Sequence, residues 1–144
     1  MSLRILILED NATNLMLVRD LLEVRGHDVL TAASADELGS VDAMPRPDIV
    51  VMDIMLPGKD GTTLMRELRG HAGWERVPFV AVTAHAMAGD RERLLKEGYA
   101  AYIAKPIDTR RFGALIEAAA RAVDDSPEPE AAGTPRPDPR SRQP

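Results

Sequence analysis

The sequence predicts a doubly wound parallel α/β sheet, because five short apolar runs alternate with segments of helical period along its first 123 residues. Three of the runs, at 3–8, 49–52 and 79–82, are nearly continuous in apolar residues, as strands covered on both faces are. The length fits one such fold: 144 residues suffice for one compact domain and fall short of two ordinary ones.

Each element has its own signal. The first run, 3–8, leads into a segment at 14–25 that places Leu15, Val18, Leu21, Leu22 and Val24 largely on one face, with Asn11 or Thr13 as cap and Gly26 as stop. After the second run, 29–32, the stretch Ser34, Ala35, Asp36, Glu37 has the form of a capping box and predicts a second helix. The third run, 49–52, is followed by a helix capped by Asp60 and carrying Leu64, Met65 and Leu68. The fourth, 79–82, precedes a helix at 88–97 that ends at Gly98, and the fifth, 101–104, precedes one capped by Asp108 or Thr109 with Phe112, Leu115, Ile116 and Ala119 inward. The outcome is a (βα)5 domain over residues 1–123, five-stranded, with helices on both faces.

Composition narrows the function. Hydrophobic residues make up 44% and charged residues 28%, ordinary for a soluble globular chain, while 3% aromatics make the core aliphatic. A net charge of -5 with no run of Lys or Arg argues against direct nucleic-acid binding. The absence of Cys excludes disulfides and thiolate metal sites. No stretch approaches the roughly 20 apolar residues of a membrane span, and Arg4 precedes an apolar run too short for a signal peptide, so a cytoplasmic location is expected. Residues 124–144 hold six of the 11 prolines and no Leu, Ile, Val or aromatic residue, the composition of a disordered tail.

In a doubly wound sheet, ligands bind outside the carboxyl ends of the strands. The residues just past the predicted strands are Glu9 and Asp10 after the first, Asp53 after the third, Thr83 after the fourth and Lys105 after the fifth. Three carboxylates so gathered repel one another unless a cation joins them, and a cluster with only oxygen donors suits a hard ion such as Mg²⁺. Mg²⁺ commonly bridges to phosphate oxygens, which leaves one Asp free to act as nucleophile on a phosphoryl group, aided by charge stabilisation from the metal, Lys105 and Thr83.

At this point the sequence resembles the response-regulator receiver family, CheY-like, over residues 3–123. The matching elements are Leu-Glu-Asp-Asn at 8–11, Met-Asp-Ile-Met-Leu-Pro-Gly-Lys-Asp-Gly at 52–61, Val-Thr-Ala-His-Ala-Met at 82–87 and Tyr-Ile-Ala-Lys-Pro at 102–106. It looks most like stand-alone receivers of the DivK type and those attached to hybrid histidine kinases. The resemblance implies a flavodoxin-like strand order 2-1-3-4-5, with Asp53 as phosphoacceptor and Mg²⁺ held by Glu9, Asp10, Asp53 and the main-chain carbonyl of Met55, Glu9 acting through water. It implies that Lys105 pairs with the bound phosphoryl group, that Thr83 and Tyr102 form a switch, and that the Lys105–Pro106 peptide bond is cis. The implied function is a single-domain response regulator, not an enzyme beyond self-phosphorylation from small phosphodonors and slow autodephosphorylation. It would take its phosphoryl group from a sensor or hybrid histidine kinase or a phosphotransfer protein. It would signal to a downstream protein through the fourth helix, fifth strand and fifth helix.

Two alternatives use the same residues. A magnesium-dependent phosphohydrolase also employs an Asp nucleophile, but generally has a second Asp two residues later, where this chain has Met55. A phosphorylation-independent adaptor would share the fold without the chemistry, yet every expected site residue is present. The histidines show no metal-ligand spacing: His27 and His71 read as surface residues, and His85, two residues past Thr83, stands where it could influence dephosphorylation. Trp74 reads as a packing or surface residue in a loop, and Gly58 and Gly61 as backbone freedom near the site.

Overall fold

A computed structural model describes residues 2–56, 58–84 and 89–125. Its elements run β1 (Arg4–Leu8), α1 (Ala12–Glu23), β2 (Asp28–Ala32), β3 (Ile49–Asp53), α2 (Gly61–Arg69), β4 (Phe79–Thr83), α3 (Asp90–Glu97), β5 (Ala101–Ala104) and α4 (Phe112–Asp125). All strand pairs are parallel and the sheet order is β2-β1-β3-β4-β5, as expected.

Side chains on a strand alternate between the two faces of the sheet. Leu6, Leu8, Val50, Met52, Phe79 and Ala81 pack with Leu64, Met65 and Leu68 of α2 and Leu94 of α3. Ile5, Ile7, Ile49, Val51, Val80 and Val82 pack on the other face with Val18 and Leu22 of α1 and Phe112 and Ile116 of α4. Every residue of β3 and β4 is therefore buried, and their runs are apolar without alternation. The helix caps follow local chemistry: Asn11 accepts the Asn14 N–H at 2.9 Å and Asp60 the Thr63 N–H at 3.1 Å.

The second crossover departs from the expectation. The capping contacts at 34–37 form, with the Glu37 N–H on Ser34 Oγ at 3.4 Å and Glu37 Oε1 accepting the Ala33 N–H at 2.8 Å. No α-helix follows them; two 3₁₀ turns, Asp36–Leu38 and Val41–Ala43, occupy the connection. Gly39 takes φ 63, a left-handed conformation that ends the turn after one round, and Pro45 and Pro47 bar a restart. A single turn fixes several dihedrals for one hydrogen bond and cannot propagate. Leu38, Val41 and Met44 still seal the α2 and α3 face of the sheet.

Three residues sit elsewhere than expected: Leu115, Val24 and His27. Leu115 is exposed, and the inward stripe of α4 is Phe112, Ile116, Ala119 and Ala120. Val24 is 83% exposed because α1 has already ended at Glu23. Trp74, in the α2–β4 connection, is the packing residue of its two expected readings, buried against the core. His27 is buried, not on the surface: its Nδ1 accepts the Leu3 N–H at 3.0 Å and its Nε2 lies 2.8 Å from Glu117 Oε2. A ring nitrogen that accepts is unprotonated, so the proton sits on Nε2 and is donated to Glu117. His71 remains near the surface, 3.1 Å from Asp42. His85 lies outside the described residues, as do residues 126–144 of the predicted tail; the first two tail residues, Asp124 and Asp125, belong to α4 instead. No helix among the described residues is long and apolar enough to cross a membrane.

Glu117 ties α4 to the start of β2 and the end of α1. Arg25 donates to both its oxygens at 2.7 and 2.8 Å, and these bonds, with a smaller contribution from His27, overcome partial burial and lower its pKa from 4.5 to about 2. A carboxylate with a depressed folded pKa stabilises the fold above its unfolded value and loses that contribution as pH falls through the folded one. Glu117→Gln should therefore lower stability at pH 7 by roughly 1–2 kcal/mol, discounted for the solvent screening of Arg25. Calorimetry should show the gap between the two proteins closing as pH falls from 4.5 toward 2. A gap independent of pH would contradict the assignment.

Candidate functional site

The parallel sheet points the carboxyl ends of β1, β3, β4 and β5 to one edge, and four of the five expected side chains are buried or half-buried there. Glu9 follows β1 directly; its N–H is fixed on the Ala32 carbonyl at 3.1 Å and its side chain is buried. Asp53 is the last residue of β3 and 6% exposed. Thr83 is the last residue of β4 and 1% exposed, and its carbonyl accepts the Lys105 N–H at 2.8 Å. Asp10 is exposed at the mouth, between Glu9 and the cap Asn11.

Lys105 joins the cluster. It follows β5, its peptide bond to Pro106 is cis, and its Nζ lies 3.0 Å from Asp53 Oδ2 and 3.2 Å from Glu9 Oε1. The remaining carboxylate oxygens are bound by main chain: Glu9 Oε2 accepts the Asn11 N–H at 3.1 Å and Asp53 Oδ1 the Met55 N–H at 2.9 Å. These two main-chain contacts are invisible to a reading of residue types, although the spacing of two residues is that of a local turn in each case.

Burial raises the Glu9 pKa, as does the neighbouring charge of Asp53, while the Asn11 N–H and Lys105 oppose the rise. For Lys105 burial disfavours the ammonium, but Asp53 and Glu9 together outweigh it and the pKa is raised, so the ammonium stays charged at neutral pH. One oxygen from each of Glu9, Asp10 and Asp53 lies within 4.8 Å of the others. Three carboxyl groups face one ammonium, an excess of acidic oxygen donors that suits a divalent cation. Among the described residues the donors of the cluster are all oxygen, with no His or Cys, so they fit a hard ion such as Mg²⁺.

Tyr102 is half-buried on β5, packed against the α2 and α3 side of the core and in register with Ala81. Beside it an open cavity of about 210 Å³ is lined by Tyr102, Pro106, Ile107, Arg111 and Leu115, between β5 and α4. Met55 presents a 61% exposed side chain at the mouth of the acidic edge while its N–H holds Asp53.

Comparison with known proteins agrees with this arrangement. The response regulator receiver domain family matches residues 5–117. The polar-differentiation response regulator DivK of Brucella ovis is 38% identical over 112 residues, covering 78% of this chain and 91% of DivK. The structure of NtrX from Brucella abortus superposes with a TM-score of 0.76 at 27% identity, over 86% of this chain and 28% of NtrX. The receiver domain of the sensor histidine kinase PA1611 from Pseudomonas aeruginosa, described with a magnesium ion coordinated in its active site cleft, superposes at 0.72 with 32% identity, over 84% of this chain and 99% of that domain. With five parallel strands in the order β2-β1-β3-β4-β5 and a family match spanning residues 5–117, the chain belongs to the response regulator receiver family.

Proposed function

We propose that this chain is a cytoplasmic phosphoacceptor of two-component or phosphorelay signalling, in which Asp53 takes a phosphoryl group and the β4–β5 edge passes the change to a protein partner. The observation that carries the proposal is the Lys105 ammonium held between Asp53 and Glu9, beside a third carboxylate on Asp10. The donor would be a phosphohistidine on a sensor or hybrid histidine kinase or a phosphotransfer protein. An Asp53 carboxylate oxygen forms a bond to phosphorus, and the bond from phosphorus to the donor's imidazole nitrogen breaks with its electron pair leaving on that nitrogen. A carboxylate nucleophile attacks through an oxygen that bears no proton, so no general base is required.

Mg²⁺, as in the PA1611 receiver domain, would supply positive charge to the phosphoryl oxygens, with Glu9, Asp10, Asp53 and the Met55 carbonyl as its holders on this chain. The Met55 N–H keeps Asp53 Oδ1 oriented, and Asn11 does the same for Glu9. Lys105 can leave the carboxylate and follow the transferred charge, since its stem is anchored through its own N–H on Thr83. The Thr83 hydroxyl is the donor on the adjacent strand, and its movement toward the phosphoryl oxygens would open space for Tyr102 to turn inward. That couples the site to the surface of α3, β5 and α4, and self-phosphorylation from a small phosphodonor with slow hydrolysis are the only activities expected of the chain alone. The chain has Met55 where an Asp-dependent phosphohydrolase would need its second acid.

Two substitutions test the proposal. Asp53→Asn should abolish incorporation from a small phosphodonor as followed by intact mass, and undiminished incorporation would sink it. Thr83→Ala should keep incorporation at Asp53 but strip the phosphorylation-dependent amide shifts from β5 and α4 in NMR spectra. Wild-type shifts in that variant would remove Thr83 from the switch.

A further inference from the structure

Gly61 does not serve the site through backbone freedom: unlike Gly58, at φ 81, it has no positive φ. What it supplies is an absent side chain. A Cβ at residue 61 would lie 2.7 Å from Ile54 Cα, 3.2 Å from Ile54 O and 3.3 Å from Ile54 C. All three are backbone atoms, so no rotation relieves the clash. The Gly61 N–H donates to that same Ile54 carbonyl at 3.3 Å.

Ile54 has no room to retreat. Its N–H is held on the Val82 carbonyl of β4 at 3.2 Å, so its main chain is pinned between β4 and the first residue of α2. The first turn of α2 is itself fixed from behind. The buried Thr62 hydroxyl donates to Glu97 Oε1 at 3.0 Å and lies 3.2 Å from the hydroxyl of buried Tyr99, both at the end of α3. Asp53 and Met55 flank Ile54 on either side, and the Met55 N–H closes on Asp53 Oδ1.

We propose that Gly61, backed by Thr62, is a positioning residue for the Asp53 site: the bare backbone contact with Ile54 sets the Met55 main chain, and any side chain at 61 weakens Mg²⁺ binding without touching the ion. This rests on the reading of the acidic edge as a magnesium site. Partners that orient metal-holding groups typically change metal affinity roughly 10–100-fold when removed. Helix propensity bears on stability and not on metal affinity, and it favours Ala over Gly in α2, so it supplies no reason for a Gly at 61.

The test uses the full isotope-labelled chain as wild type, Gly61→Ala and Leu68→Ala, the last a cavity in the buried face of the same helix. Amide shifts during a Mg²⁺ titration give the affinity, hydrogen exchange of the Met55 amide in metal-free protein reports the Asp53 contact, and thermal melts report folding. Gly61→Ala should weaken Mg²⁺ binding roughly 10-fold or more and accelerate Met55 exchange. Leu68→Ala should lose stability while keeping wild-type affinity. A folded Gly61→Ala with wild-type affinity and wild-type Met55 exchange overturns the proposal, as does equal weakening in Leu68→Ala. If Gly61→Ala does not fold, Thr62→Val takes its place, and unchanged Met55 exchange there is the contrary result. A wild type that binds no Mg²⁺ overturns the magnesium reading instead, and the Met55 exchange rates still decide the positioning role.

Discussion

Carboxylates gathered at one end of a sheet repel, and the cluster holds together in the structure because Lys105 reaches between two of them. Removing the ammonium would leave Glu9 and Asp53, both largely withdrawn from water, facing each other and the exposed Asp10. The cluster's excess of acidic oxygen donors suits a divalent cation, and a phosphoryl group is what such a cation and a lysine together can hold. The other features of the edge follow from that constraint. Asn11 and Met55 hold the carboxylate oxygens by main-chain N–H groups, and the Thr83 carbonyl holds the lysine by its backbone.

The sheet makes the gathering possible. Parallel strands all end at the same edge, so residues from β1, β3, β4 and β5 meet although they are distant in the chain. Burial of both faces fixes each strand's register, since a slip of one residue would send the Leu6, Val50 and Phe79 set to the wrong helices. At the opposite pole the Arg25, His27 and Glu117 cluster ties α4 to α1 and β2, leaving the β5–α4 groove near Tyr102 as the side of α4 nearest the site.

The inner strands β1, β3 and β4 were legible because burial on both faces writes itself as continuous apolar runs. The half-buried edge strands β2 and β5 were legible by shorter apolar runs, and all five observed bounds fall within a residue of the runs. Asn11 and Asp60 were legible because a cap bonds three residues away. The same local rule misread 33–48, where correct capping contacts precede a glycine and two prolines that stop the helix. His27 was misread because its partners, Leu3 and Glu117, lie 24 and 90 residues away, and local sequence holds no trace of them. Leu115 was misread by one position on a helix whose actual stripe runs through Ala119 and Ala120. Of the site, the identities of Glu9, Asp10, Asp53, Thr83 and Lys105 could be read because each stands at a strand end. The bridging of Glu9 by Lys105, and the role of Gly61 as empty space, could not.

The requirement for a cation is the central claim, and the most direct measurement is phosphoryl incorporation from a small phosphodonor into the full chain with Mg²⁺ present or chelated, mapped to the modified residue by peptide mass. Incorporation at Asp53 with Mg²⁺, and its loss on chelation, is the expected result. Equal incorporation in both conditions, or modification elsewhere, would contradict it.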